Sequence, residues 1–173
     1  MTARSLHPAF FAGLVLAATI GTATHATAKF NPTAIAPGIW HGPAPRKAAD
    51  YAQLKCLGVQ TVIEMRRYMP LAIRRERKQI LAHGMNYCRA PMGFTPLKDG
   101  SPEVALRLIT DGSKQPVYFH CNLGKDRVGL VIALFRVRYQ GQSPQAAYQE
   151  FKSGQFNSLL KGLDNYFWQR TYR

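Results

Sequence analysis

The sequence has 173 residues, 46% of them hydrophobic, and a formal net charge of +14 at pH 7. This length and composition exclude a disordered chain and a bundle of membrane-spanning helices, and they predict one globular domain, which we expect to be a monomer. The charge favours acidic partners such as a phosphorylated molecule or an anionic membrane surface, although a solvated basic face that maintains solubility would explain it equally well. Because the sequence has no aromatic-basic motif, we predict no nucleic-acid partner.

The first 28 residues have the pattern of a secretion signal. Arg4 precedes a largely apolar run from Ala9 to Ile20, which is shorter than the ~20 residues that span a bilayer. Ala26-Thr27-Ala28 then supplies the small residues that signal peptidase accepts. We therefore predict a signal peptide over 1–28, a folded domain over 29–173 and export to the periplasm or the medium. An uncleaved membrane anchor is the alternative interpretation.

Helix and strand patterns alternate after residue 45. In chain order they predict a helix at 48–57, a strand at 59–63, a helix at 71–83, a strand at 85–90, a loop at 93–102, a helix at 103–110 entered through Ser101-Pro102, a strand at 116–120, and helices at 128–139, from Ser143-Pro144 onward and at 159–172. This alternation predicts an α/β fold with a central, mostly parallel sheet of four or five strands flanked by helices.

The segment His120-Cys121-x5-Arg127 joins a predicted strand to a predicted helix. Such turns, at the carboxyl edge of a parallel sheet, are where α/β folds bind ligands, and a helix N-terminus attracts phosphate. Gly124 permits a tight turn that lets successive amides converge on an anion, and Arg127 can hold two phosphate oxygens. The same positive surroundings favour a reactive thiolate at Cys121 over an inert buried cysteine.

This segment resembles the phosphate-binding loop of the protein tyrosine phosphatase superfamily, most of all its compact dual-specificity branch. The order Cys-x-x-Gly-Lys-Asp-Arg is similar to bacterial tyrosine and lipid phosphatases and to phosphoinositide phosphatases. Residues 38–45 resemble the short first strand of bacterial and fungal members, and residues 57–66 resemble their first helix–strand crossing. The resemblance implies a cysteine phosphatase fold and hydrolysis of phosphoric monoesters without metal or cofactor. The implied substrates are phosphorylated proteins, phosphoinositides or inositol phosphates.

The resemblance also implies roles for the loop residues. Cys121 would be the nucleophile that forms a phosphocysteine intermediate, and Arg127 would bind the phosphate together with the loop amides. His120 would brace the loop, and Lys125 would lean over the phosphate. The remaining predicted substrate-binding positions in and after the loop are Asn122, Leu123, Gly124 and Val128.

The sequence leaves open which aspartate protonates the leaving oxygen. Asp126, within the loop, is slightly favoured, and Asp99, in the loop that family members use for their acid, is nearly equal. Asp111 is a weaker third candidate. Structural roles are also consistent with the pattern, since Asp99 precedes a glycine in a turn and Asp126 could cap the helix.

Three further features of the sequence qualify the match. Most family members carry a hydroxyl residue where this chain has Val128, so we expect slow hydrolysis of the intermediate. Arg66 and Arg67 end a strand at the same sheet edge and either widen the positive mouth of the site or form a solvated strand end. Cys88 could form a disulfide with Cys121 or Cys56, although a small buried apolar side chain is the favoured interpretation of both Cys56 and Cys88.

Two other function classes compete with hydrolysis. A phosphatase-like module could bind phosphorylated ligands without turnover, a hypothesis that Val128 and the unassigned acid keep open. Thiol redox chemistry would require a resolving cysteine next to Cys121 or a shorter loop, and the sequence indicates neither.

Overall fold

The computed structural model describes residues 30–94, 100–154 and 156–172. The described strands are β1 Thr33–Ala36, β2 Ile39–Gly42, β3 Thr61–Arg66, β4 Asn86–Met92 and β5 Val117–His120. The described helices are α1 Ala48–Cys56, α2 Pro70–Ala82, α3 Ser101–Thr110, α4 Asp126–Gln140, α5 Pro144–Ser153 and α6 Lys161–Thr171. None of the helices in these ranges is long and apolar enough to cross a membrane.

The strands form one sheet in the order β1-β2-β5-β3-β4. β1 runs antiparallel to β2, and every other pairing is parallel. His120, the last residue of β5, lies opposite Gly42 on one side and Glu64 on the other. The carboxyl ends of three neighbouring strands therefore meet beside His120, at the edge where a parallel sheet binds ligands.

Helices cover both faces of the sheet. On one face, α1 and α2 pack through Tyr51, Leu54 and Ile80 against a small apolar cluster. On the other face, α3 to α6 enclose the larger core, which includes Leu134 and Phe167. Burial of strands on both faces explains why β3 and β5 consist of continuously buried residues instead of alternating ones.

The predicted α/β architecture is confirmed, and several boundaries are corrected. β1 was not predicted, and the strand expected at 59–63 is β3 at Thr61–Arg66. Gly100, with a positive φ, is the N-cap residue of α3, so the helix begins at Ser101 and not at Glu103. Residues 1–29 lie outside the described part of the chain, so the signal peptide stays a prediction.

Candidate active site

The predicted phosphate loop lies at the middle of the sheet's carboxyl edge. β5 ends at His120 and α4 begins at Asp126, so residues 121–125 connect the central strand to a 15-residue helix. Cys121 is only 2% exposed. Lys125 is the N-cap residue of α4 but makes no capping hydrogen bond with its side chain. The helix therefore directs its N-terminal amides and the positive end of its dipole into this loop.

Gly124 is required by both its backbone angle and its surroundings. Its φ of 72° lies in the left-handed region, and a Cβ built there would be 2.4 Å from the Gly42 carbonyl carbon and 2.6 Å from the Pro43 nitrogen. The loop thus packs directly on the β2–α1 connection. There the Ala44 amide donates a 3.2 Å hydrogen bond to the Asn122 carbonyl. Close packing, as well as turn formation, explains this glycine.

Arg127 is buried in the first turn of α4 but is not paired with an acid in the described residues. Its Nη1 donates a 3.3 Å hydrogen bond to the Met92 carbonyl, and its guanidinium lies 4.4 Å from the centroid of the Phe94 ring. Its Nε is buried and has no hydrogen-bond partner in the described ranges. A buried, oriented guanidinium with unused donors suits an oxyanion ligand.

His120 supports the loop from its buried side. Its Nδ1 lies 2.9 Å from the Cys121 carbonyl oxygen, and its ring stacks on Tyr118 at a centroid distance of 5.6 Å. Its Nε2 lies 3.0 Å from Oε1 of Glu76 and forms an ion pair with it. His120 is fully buried, which fixes the orientation of its ring.

Glu76 belongs to a buried charge cluster, which we define as Glu64, Arg66, Glu76 and His120. The Arg66 guanidinium bonds Glu64 in a forked arrangement and Oε2 of Glu76 at 2.5 Å. Donor atoms of the two glutamates and His120 come within 4.8 Å of one another, a spacing that could hold a metal ion. Because Arg66 already binds both carboxylates, the residues present favour an ion-pair network over a metal site.

Charges in this cluster shift one another's pKa values. Burial opposes the charge of His120, but Glu76 and Glu64 outweigh it and raise the pKa of His120 to about 9. Burial also opposes ionisation of Glu64, but His120 and Arg66 lower its pKa below the ordinary value. His120 is therefore a cation at neutral pH, so both ring nitrogens carry protons and Nδ1 donates to the Cys121 carbonyl.

The cluster gives Arg66 a supporting role that was not predicted. Its side chain is buried and bound to two carboxylates, so it supports the loop indirectly, and it also lines the cleft beside the loop. Glu64 and Glu76 were not predicted from the sequence. Each carries a recognisable signal, because Glu64 lies between the apolar residues Ile63 and Met65 of a strand. Glu76 lies between Ile73 and Ile80 on the buried side of α2.

The other predicted binding positions differ in their surroundings. Val128 is completely buried in the larger core, which corrects its assignment as a substrate-binding residue. Leu123 is 44% exposed at the surface of the loop. Lys125 lines a cavity of about 320 Å³ between β1, α4 and α5. Asn122 lines a different cleft, on the side of α1 and α2.

The structure describes one of the two leading acid candidates. Asp126 is half-buried in the first turn of α4, and its Oδ1 accepts a 2.9 Å hydrogen bond from the Asn157 amide. It does not cap α4, since Lys125 occupies that position. Asp99 lies outside the described residues. Asp111 is engaged by Ser113 and Lys114 at the end of α3.

All three cysteines are free thiols. Cys56 is exposed, so the interpretation of this residue as a buried apolar side chain is wrong. Cys88 is half-buried in β4 and packs against the larger core, in agreement with that interpretation. The suggested disulfides are not formed.

A cleft of about 600 Å³ adjoins the loop on the side of α1 and α2. Arg46 lines it and donates a 3.2 Å hydrogen bond from Nη2 to Oδ1 of Asn122. Arg75 lines the cleft from α2. Its one acidic lining residue within the described ranges is Glu76, which is already paired with Arg66 and His120. The cleft therefore provides a positive surface next to the loop.

Comparison with known proteins agrees with this geometry. The chain shares its fold with the catalytic core of the PP-IP phosphatase SIW14 from S. cerevisiae, at 18% identity and a TM-score of 0.64, covering 77% of this chain and 83% of that one. Human DUSP28 aligns at 21% identity and a TM-score of 0.60, covering 82% and 93%. TpbA of P. aeruginosa, solved in complex with pTyr, aligns at 25% identity and a TM-score of 0.61, covering 74% and 75%.

Sequence comparison gives the family. No curated protein matches the sequence. The profile of the tyrosine phosphatase family matches residues 28–168, which include the whole loop and almost all of the predicted domain. The chain therefore belongs to the tyrosine phosphatase family.

Proposed function

We propose that the chain is an exported phosphatase that hydrolyses phosphoric monoesters through a phosphocysteine intermediate on Cys121. The observation that carries the proposal is the position of Cys121 directly after the central strand and of Arg127 in the first turn of α4, on the two sides of one short connection. An oxyanion placed there would meet helix amides and a guanidinium that is not paired with an acid in the described residues.

In the first step, the Cys121 thiolate attacks phosphorus, a P–S bond forms and the ester P–O bond breaks. The leaving oxygen takes a proton from the general acid, for which Asp126 and Asp99 are the candidates. In the second step, water attacks phosphorus, the P–S bond breaks, and inorganic phosphate and the thiolate are released. Arg127 and the loop amides stabilise the negative oxygens in both steps.

The proposed substrates are phosphotyrosine or other phosphorylated residues in proteins, or phosphoinositides. TpbA bound to pTyr and the PP-IP phosphatase SIW14 support a phosphorylated substrate in general. The cleft beside Asn122, with Arg46 and Arg75, favours a substrate that carries further negative charge next to the reacting phosphate.

The direct test is hydrolysis of p-nitrophenyl phosphate in EDTA. We expect turnover by the wild type and a loss of at least about 10³-fold in Cys121→Ser, which should still bind vanadate. Iodoacetate should alkylate Cys121 at mildly acidic pH, and vanadate should protect it. The proposal is wrong if Cys121→Ser retains full activity, or if the thiol resists alkylation in the absence of an anion.

The second candidate function is a phosphatase-like module that binds phosphorylated ligands without turnover. The observation that favours it is the apolar, fully buried Val128 next to the loop, which offers no hydroxyl for the second step. Vanadate-sensitive alkylation without turnover of p-nitrophenyl phosphate or phosphopeptides would establish this alternative.

A further inference from the structure

One side of α2 is exposed along its whole length. The buried residues Ile73, Glu76 and Ile80 define the inward side. The outward stripe repeats every three or four residues and consists of Leu71, Arg74, Arg75, Lys78 and Leu81. Leu71 is 70% exposed and Leu81 is 51% exposed, so large apolar side chains stand in solvent at both ends of a row of cations.

The charge of this side is of one sign. The single acidic residue of α2 is Glu76, which is buried and paired with Arg66 and His120. All other charged residues of the helix are exposed cations. A helix with exposed leucines and only positive exposed charges is the pattern of a segment that lies in a membrane interface.

The outward stripe continues to the catalytic loop. Tyr68 and Met69, which connect β3 to α2, are 62% and 48% exposed. Met69 and Asn122 line the same cleft, and Leu123, the residue after Asn122, is 44% exposed. Four of the eight exposed large apolar residues in the described ranges are therefore found in α2's first turn, the connection before it and the loop.

We propose that this docking surface, formed by Tyr68, Met69 and the outward stripe of α2, binds an anionic phospholipid bilayer. The cations would contact lipid phosphates, and the apolar side chains would enter the boundary between headgroups and acyl chains. A dispersed polyanion would satisfy the cations but leave Leu71 and Leu81 in water, which favours a bilayer as the partner. Docking does not depend on hydrolysis, so it can fail while the proposed function holds.

The test measures binding of the protein to lipid vesicles. The protein is purified after processing by the cell, and its N-terminus is determined from its intact mass. The vesicles are phosphatidylcholine alone, or phosphatidylcholine with about 30% phosphatidylglycerol. We expect strong binding to the anionic vesicles only. Arg74→Gln/Arg75→Gln should lower the partition coefficient about 25-fold, since each cation contributes about fivefold. The matched control, Arg107→Gln/Lys161→Gln, removes two exposed charges from α3 and α6 and should change it less than twofold.

The contribution of the apolar side chains to vesicle binding is measured separately. At about 0.5 M NaCl the charge contribution is screened, and Leu71→Ser/Leu81→Ser should abolish the binding that remains to the wild type. Circular dichroism and thermal unfolding verify that each variant is folded. Any one of three results would overturn the proposal. These are an equal loss of vesicle binding in the α2 variant and its control, no preference for anionic vesicles, or displacement by dextran sulfate together with no effect of the leucine variant. The last outcome would identify a general polyanion surface.

Discussion

Removal of one carboxylate from the buried charge cluster tests how the loop is supported. Glu76→Gln keeps the shape of the side chain but deletes the charge that faces Nη2 of Arg66 at 2.5 Å and Nε2 of His120 at 3.0 Å. Two buried cations then share Glu64 alone. Because these groups are almost completely buried, solvent screens the loss only weakly, and breaking a buried pair typically costs about 3–5 kcal/mol.

The pH dependence of the folding stability gives a second estimate of what Glu76 contributes. The pKa of His120 is raised from an ordinary value of 6.5 to about 9. A raised native pKa stabilises the folded state fully below pH 6.5, and this stability is lost as pH rises to 9. This pKa shift corresponds to about 3 kcal/mol in the free energy of unfolding. The pKa of His41, which burial and Arg136 lower to about 4, affects stability only below pH 6.5 and does not interfere.

The assay is urea unfolding at several pH values between 6.5 and 9. We expect the wild type to lose about 3 kcal/mol across this range, and Glu76→Gln to be less stable at pH 6.5 and to depend less on pH. The matched control is Glu150→Gln, which removes an exposed 3.0 Å ion pair with Arg136 and should cost less than about 1 kcal/mol. If both variants keep the wild-type slope and lose equal stability, Glu76 does not hold the charge of His120.

Three further predictions concern the loop. Gly124→Ala should abolish turnover of p-nitrophenyl phosphate, because the φ of Gly124 is 72° and an added Cβ would collide with the facing backbone. Gly84→Ala is the control: its φ is 68°, but nothing lies within 4 Å of the added Cβ, so this variant should remain active. Equal losses of activity in the two variants would contradict the role of the contact. Val128→Thr should make the burst of p-nitrophenol less pronounced and raise turnover, because the intermediate is hydrolysed faster. Unchanged burst kinetics would refute the need for a hydroxyl. Either Asp126→Asn or Asp99→Asn should lower kcat by roughly 10²-fold or more and remove the acid's limb of the pH profile, and two fully active variants would exclude both acids.

Local patterns in the sequence were sufficient to predict the loop. The strand before Cys121, the glycine at the turn and the apolar helix after Arg127 are all encoded within about 25 residues, and each follows from short-range periodicity or turn chemistry. The parallel sheet followed from the alternation of helices and strands. These features depend on neighbours in the chain, so one sequence is enough to predict them.

Features that depend on distant pairing were not predicted. β1 has four residues, two of them exposed, and it forms only through antiparallel pairing with β2. The pairing of Arg66 with Glu76 was also not predicted, because Glu76 lies ten residues away on a helix. Exposure of Cys56 depends on the side of α1 that faces the sheet, and the weakly amphipathic sequence of α1 does not indicate this.

The charge cluster also explains why a buried cation can lie directly beneath an anion-binding loop. The four members carry two positive and two negative charges, so the cluster as a whole is neutral and can be buried at moderate cost. Its charges are not evenly placed, however, because His120 contacts the Cys121 carbonyl while Glu76 lies on the far side of the ring. The cluster therefore presents its positive end to the loop and adds to the field of the α4 N-terminus. Deprotonation of His120 above a pH of about 9 removes this contribution, so the affinity for vanadate should fall in that range in the wild type but much less in Glu76→Gln.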